Sequence, residues 1–157
     1  QRTFSEKCFA SVLLDASKIN EGDYAGFCAL EGQYAFIAIT KKNDRYYLCS
    51  AEHKVIDRQE PDYSHKAELL TEVEISKPLV KLALKFDLTK EGQNVELQYF
   101  NENTRAFERL GREKSKLRYT LDQFVGVRFA LFIFSTKETG GQAYFSDFNF
   151  GFWQDEE

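Results

Sequence analysis

The stretch that decides the fold is FVGVRFALFIFSTKETGGQAYFSDFNFGFW, residues 124–153. Its two long apolar runs are broken once, by the polar residues 135–142. In residues 124–134 every odd position is apolar, whereas the even positions mix aromatic, small and charged side chains. A period of two is typical of a β-strand, because successive side chains point to opposite faces. One apolar and one mixed face predict a strand in the middle of a sheet of a two-layer sandwich.

The rest of the chain shows the same period. The segment VKLALKF, residues 80–86, has only apolar side chains at its even positions and carries both lysines at odd positions. NVELQYF, residues 94–100, follows it after a turn, so the two predict a hairpin. Residues 104–117 come closest to a helical pattern, but Gly111 interrupts it. Turn residues separate four earlier apolar runs, at 7–14, 23–30, 33–40 and 45–51. The sequence therefore predicts an all-β chain that folds as a two-sheet antiparallel β-sandwich.

Composition limits the domain organisation and the partners. The 157 residues suffice for one domain, residues 1–157, and 43% hydrophobic and 29% charged residues argue against disorder. A net charge of −4 argues against nucleic acid, since it offers no counter-ion for phosphates. No apolar stretch reaches the ~18 residues that span a bilayer, so we expect no membrane partner. Cys8, Cys28 and Cys49 each lie in an apolar run, which predicts buried thiols and not a zinc site.

The longest polar stretch, residues 52–66, predicts a surface excursion. It contains Asp57 and Glu60 at the spacing of a glycosidase carboxylate pair, but Val55 stands where a first carboxylate would belong. Solvated charges are therefore the favoured interpretation, and we identify no catalytic residue in the chain. His53 and His65 flank the same stretch, which leaves a shared metal site as a weak alternative.

Four segments together resemble a known family: residues 22–30, 33–50, 95–111 and 122–150. The most specific pattern is F-x-G-x-R-F-x-L-F-x-x-x-T-x-x-x-G-G, from Phe124 to Gly141. These segments resemble the C-terminal concanavalin A-like domain of family 43 glycoside hydrolases, the β-xylosidase and α-L-arabinofuranosidase type. The resemblance implies a concanavalin A-like jelly roll without catalytic residues of its own, part of a glycosidase whose catalytic propeller lies elsewhere in the polypeptide.

The same resemblance implies partners, a location and an incomplete edge. The partners would be a glycan and the catalytic domain of the same polypeptide, and a periplasmic or secreted location is favoured. In the family, a stretch like QRTF (residues 1–4) lies inside a strand that follows further sandwich residues. We therefore expect a domain that lacks its N-terminal strands. Such a domain should either dimerise, or become more stable when the preceding residues are restored.

Two functions from different classes stay open. One is an accessory domain that packs on the propeller and shapes its pocket, and the other is a free-standing carbohydrate-binding module with an aromatic groove. A large apolar patch away from any aromatic groove would favour the first. A plain interaction sandwich is a third interpretation, which the pattern at residues 124–141 disfavours.

The candidate site residues come from two arguments. Exposed aromatic rings can stack on sugars, although most of the 15 Phe and 8 Tyr residues must fill the core. The resemblance implies that the loop entering the long strand approaches the propeller and lines the sugar pocket; the equal alternative for Phe124 is that it caps the core. The aromatic candidates are Tyr24, Tyr34 and Tyr46, with Tyr47, Tyr99 and Trp153 considered beside them, and the loop candidates are Asp122, Gln123 and Phe124.

A structural calcium ion is the remaining possibility, and no other cofactor is implied. Related sequences carry acids on the last strand, where this chain has Tyr144 and Ser146. Alternation predicts that Asp147 points to the opposite face from those two residues, so the last strand does not support calcium. A weaker set of oxygen ligands is Asp15, Glu21 and Asp23.

Overall fold

The computed structural model describes residues 2–3, 5–111, 114–123 and 126–155. These residues form eleven β-strands and no helix, so the all-β prediction is confirmed and no described helix could cross a membrane. The strands are β1 Lys7–Lys18, β2 Asp23–Leu30, β3 Tyr34–Lys42, β4 Arg45–His53, β5 Glu68–Ile75, β6 Leu79–Asp87, β7 Asn94–Asn101, β8 Ala106–Arg109, β9 Ser115–Lys116, β10 Arg128–Ser135 and β11 Gln142–Phe152.

The strands form two antiparallel sheets, as the sequence predicts. The six-stranded sheet has the order β11-β1-β6-β7-β8, with β9 paired to β7, and the five-stranded sheet has the order β10-β2-β3-β4-β5. β6 and β7 form the predicted hairpin, in register from Leu82 opposite Tyr99 to Asp87 opposite Asn94. A loop of residues 54–67 follows β4, whereas Glu52 and His53, which the sequence assigned to the surface excursion, lie buried within β4.

The main core fills the space between the sheets. Phe27, Phe86 and Leu14 are fully buried there, and the rings of Phe86 and Phe129 meet edge to face with centroids 5.0 Å apart. The three cysteines are buried and form no disulfide, as predicted. Burial raises the pKa of the Cys28 and Cys49 thiols to about 12, so both are protonated at neutral pH.

The position of β10 corrects one prediction. The apolar face of residues 124–134 predicted a central strand, but β10 ends the five-stranded sheet. Val127 and Phe129 are buried as expected, whereas Leu131 and Ile133 are 47% and 42% exposed. Both point toward the inner side of the sandwich, where the facing sheet does not cover them. The same holds on β11, the neighbouring end strand, for Phe148, Phe150 and Phe152.

Candidate functional site

Aromatic side chains cover the outer face of the five-stranded sheet. We call this surface, formed by Tyr24, Tyr34, Phe36, Phe132 and Phe134, the aromatic face. The Tyr24 ring stacks on Phe134 with centroids 5.1 Å apart, and Phe36 meets Phe132 edge to face at 5.0 Å. The antiparallel register produces this arrangement, since it sets Phe134 beside Tyr24. Phe134 is 44% exposed, so a ligand can reach the ring.

Small buried side chains form the floor between these rings. The floor consists of Gly26, Cys28, Ala38, Cys49 and Ala51. At Gly26 a β-carbon would collide with the Ile37 carbonyl and with Ala38, so only glycine fits. The rings therefore project above a low floor, which is a shape suited to stacking against the apolar faces of sugar rings.

A stack of histidine and tyrosine rings closes one end of the aromatic face. The His53 ring lies between its neighbours, 5.0 Å from Tyr34, 4.2 Å from His65 and 5.5 Å from Tyr63 between centroids. His53 is 1% exposed, and neither ring nitrogen has a hydrogen-bond partner in the described part of the chain. Burial, and then the neighbouring His65, lower the pKa of His53, so its ring is neutral at pH 7.

Two loops meet at this end of the face and fix each other. The Tyr63 hydroxyl donates to Asp122 Oδ1 at 3.4 Å and lies 3.3 Å from the Thr120 hydroxyl. The Leu121 N–H donates to the Arg58 carbonyl at 2.9 Å. The Arg58 guanidinium lies 3.6 Å from the centre of the Tyr119 ring, a cation–π contact. The loop that precedes β10 is therefore held against residues 54–67.

The structure separates the aromatic residues that the sequence proposed for a site. Tyr34 lies at the end of the aromatic face beside the two loops, and Tyr24 lies near its opposite end. Tyr46 packs against the main core, and its hydroxyl donates to the Ser17 carbonyl at 3.4 Å. Tyr99 also packs against that core, and the Trp153 indole N–H donates to the Phe86 carbonyl at 2.8 Å.

The predicted loop residues share the Tyr34 end of the face. Asp122 is exposed and accepts the Tyr63 hydroxyl, and the Gln123 N–H donates to the Thr120 carbonyl at 3.2 Å. Phe124 lies outside the described residues. The buried His53 ring was not predicted as part of this surface. Its only sequence signal was that both histidines flank one polar stretch.

The chain matches a known protein family. A family model described as the β-xylosidase C-terminal concanavalin A-like domain matches residues 1–151. The chain belongs to this family. A search of curated proteins finds no match to the chain.

Solved structures with the same fold include longer enzymes. An engineered family 43 glycoside hydrolase with endo-xylanase and exo-arabinofuranosidase activity has a TM-score of 0.83 and 19% identity, over 96% of this chain and 30% of that one. A bifunctional family 43 protein of Bacteroides eggerthii has a TM-score of 0.82 and 24% identity, over 99% and 19%. A xylan β-1,4-xylosidase of Bacillus halodurans has a TM-score of 0.70 and 13% identity, over 96% and 28%. This C-terminal domain thus spans less than a third of these enzymes.

The carboxylates proposed as calcium ligands bind backbone groups in the domain. Asp23 is fully buried and accepts hydrogen bonds from the Asn20 N–H and the Ser135 hydroxyl. Asp15 accepts from Ser17 and Glu21 from Asn43, and these bonds lower the pKa of both carboxyls. Among the described residues, no group of three or more His, Cys, Asp or Glu side chains could hold a metal ion.

The last strand departs from the predicted alternation. A register shift between Ser11 and Leu13 marks a β-bulge in β11, and Asp147 within it has a φ of 58°. Its carboxylate lies 3.9 Å from Lys81 Nζ, across the outer face of the six-stranded sheet. The prediction that Asp147 points away from the Tyr144 and Ser146 face is therefore wrong, because the bulge interrupts the period of two.

A separate cleft of about 1130 Å³ is lined by residues of β4, β5, β7 and β9 and by the start of the loop that follows β4. Ser50, Glu52, Leu97, Leu110 and Lys114 are among its lining residues, and it contains none of the described residues proposed for a site. Segments far apart in the sequence form it, so a local pattern could not have shown it. Asp57 and Glu60 do not line this cleft; they are exposed on the loop of residues 54–67.

Proposed function

We propose that this chain is the accessory domain of a family 43 glycoside hydrolase that acts on xylan- or arabinan-type polysaccharides. In this proposal it packs on the catalytic domain of the same polypeptide and performs no acid–base chemistry itself. The family match over residues 1–151 is the observation that carries the proposal. The longer solved enzymes of the same fold support it, since their names give xylanase, arabinofuranosidase and xylosidase activities.

The segment of Asp122, Gln123 and Phe124 would form the domain's contribution to the substrate pocket. Its support is the mutual fixation of the two loops, in which Tyr63 holds Asp122 and Arg58 holds Leu121. A loop that is already fixed loses little conformational entropy when it forms a pocket wall. The Phe124 ring would exclude water there and give the sugar an apolar surface.

The test is Phe124→Ala in the enzyme with its catalytic domain attached. We expect kcat/KM for nitrophenyl xyloside to fall about tenfold, the effect of losing about 1.4 kcal/mol of transition-state stabilisation. The matched control is Tyr24→Ala at the other end of the aromatic face, which should leave kcat/KM unchanged. A loss of ~3 kcal/mol in unfolding free energy with unchanged kinetics would show that Phe124 caps the core, and would refute its role in the pocket.

The aromatic face favours direct glycan binding as a second candidate function. Phe134 is 44% exposed and already stacked on Tyr24, so a sugar would extend an existing stack. Calorimetric titration with xylotetraose tests this function, with Phe134→Ala expected to abolish binding. Phe107→Ala is the control, because Phe107 is 37% exposed but lies on β8 of the other sheet. No heat of binding at millimolar sugar would eliminate this candidate and leave the accessory role.

A further inference from the structure

The cleft of about 1130 Å³ is formed by residues of both sheets, and hydrogen bonds fix its walls. Its apolar lining includes three leucines that are buried in the main core, Leu97, Leu110 and Leu117. The Gln33 side chain joins two of the lining segments, since it donates to the Lys116 carbonyl at 2.8 Å and accepts from the Val55 N–H at 3.2 Å. Walls that are already fixed lose little conformational entropy when a ligand binds.

Cations outnumber anions among the residues that line the cleft. The cationic residues are Lys54, Lys90, Lys114, Lys116 and Arg118, and the anionic residues are Glu52 and Glu91. The chain as a whole has the opposite balance, with a net charge of −4. A cleft lined mainly by one sign of charge concentrates the field and attracts ligands of the other sign.

Three of these cations form a row along β9 and its continuation. Lys114, Lys116 and Arg118 are exposed, whereas Ser115 and Leu117 between them are buried. Alternate residues of an extended segment lie on the same side, about 6.6 Å apart. The row therefore presents positive charge along one wall of the cleft.

Two members of the row carry charges that no carboxylate of the described residues neutralises. Lys114 Nζ lies 3.0 Å from a carboxylate oxygen of Glu96, whereas Lys116 and Arg118 form no ion pair within the described part of the chain. Arg118 Nη1 donates to the Val55 carbonyl at 3.3 Å, which fixes the guanidinium without neutralising it. A fixed guanidinium is well suited to binding a carboxylate.

The wall formed by β4 and β5 supplies hydroxyl groups. Ser50 and Thr71 lie opposite each other in the pairing of these strands, and both line the cleft. Ser50 is fully buried, and its hydroxyl has no hydrogen-bond partner in the described part of the chain. Buried polar groups are normally satisfied, so a ligand hydroxyl or a bridging water would complete this wall.

We propose that this cleft binds an oligosaccharide that carries uronic-acid carboxylates. The carboxylates would pair with Lys116 and Arg118, the sugar hydroxyls would face the Ser50 wall, and the apolar faces of the rings would lie against the leucines. A cleft of about 1130 Å³ has room for several sugar rings, more than one small anion needs. The choice of a polysaccharide rests on the proposed function, whereas the preference for an acidic one rests on the charges of the cleft.

Calorimetric titration of the 157-residue chain tests the proposal. The probes are a xylotriose that carries one glucuronic acid, and tetragalacturonate, with xylotetraose as the neutral control. We expect at least one acidic probe to bind at least about ten times more tightly than xylotetraose, with an affinity that falls as the salt concentration rises. The tighter of the two acidic probes distinguishes an acid-substituted xylan from a polyuronide.

Charge reversal in the row locates the binding. Lys116→Glu should weaken binding of the acidic probe at least about tenfold and leave the fold intact, since this side chain is exposed. Lys77→Glu is the matched control, because Lys77 is exposed on the turn between β5 and β6 and does not line the cleft. Phe134→Ala should also retain the binding, which separates the cleft from the aromatic face.

Three results would overturn the proposal: no binding of either acidic probe at millimolar concentration, equal affinity for acidic and neutral probes, or an affinity that Lys116→Glu leaves unchanged. These results concern the cleft alone. Turnover of nitrophenyl xyloside by the chain joined to its catalytic domain tests the accessory role separately, so failure of one proposal is distinguishable from failure of the other.

Discussion

His53 is enclosed by rings from two parts of the chain. Tyr34 lies on one neighbouring strand, and Tyr63 and His65 lie on the loop that follows β4. The enclosure disfavours the charged imidazolium because that form loses its hydration, and this lowers the pKa of His53. Repulsion from His65 lowers the pKa further, whereas the Asp62 carboxylate raises it. The sequence showed two histidines beside one polar stretch. It could not show that the loop folds back and stacks them, because that contact depends on the whole path of residues 54–67.

The pH dependence of stability follows from this environment. The pKa of His53 in the folded chain lies below its unfolded value of 6.5. As the pH falls, the unfolded chain therefore binds more protons than the folded chain. The contribution of His53 is therefore complete above the unfolded pKa and is lost as the pH falls toward the folded pKa. We expect His53→Phe, which keeps a ring in the stack, to flatten the fall in unfolding free energy between about pH 7.5 and about pH 5.5.

Urea titrations across that range provide the measurement for His53. Tyr63→Phe is the control, because it retains both histidines and removes only a hydroxyl. Equal pH slopes in the parent chain and in His53→Phe would contradict the assignment.

Strand positions were largely predictable from the period of two. The runs that became β1 to β4, β6 and β7 were all identified, because each alternates or is apolar between turn residues. The order of strands in the sheets was not predictable, and this led to the error at β10: its apolar face resembled that of a central strand. The bulge in β11 escaped prediction because a left-handed backbone at Asp147 leaves no pattern in the sequence.

Asp147 gives the bulge a measurable energetic signature. Its φ of 58° lies in the left-handed region, which aspartate tolerates and β-branched residues do not. We expect Asp147→Val to lower the unfolding free energy by about 1–2 kcal/mol, the cost of that conformation. Arg109→Val, at an exposed position of regular pairing on β8, should change stability by less than about 0.5 kcal/mol. Guanidinium denaturation would contradict this assignment if the two variants lost equal stability.

At the scale of the whole molecule, the family was identifiable from the motif between Phe124 and Gly141, whereas the surfaces were not. Residues from segments distant in the sequence form both the aromatic face and the cleft of about 1130 Å³. Tyr46 was proposed for a sugar site and instead packs against the main core, because residue type alone does not reveal which side of β4 faces inward. Pairing order and loop packing decide such questions.

The most direct test of the accessory role is turnover of nitrophenyl xyloside by three proteins: this chain alone, the catalytic domain without it, and the two joined as one polypeptide. We expect no turnover by the chain alone. The catalytic domain alone should show kcat/KM reduced at least about tenfold, since one wall of its pocket is missing, and the joined polypeptide should recover full activity. Turnover by the isolated chain, or full activity of the catalytic domain without it, would contradict the account.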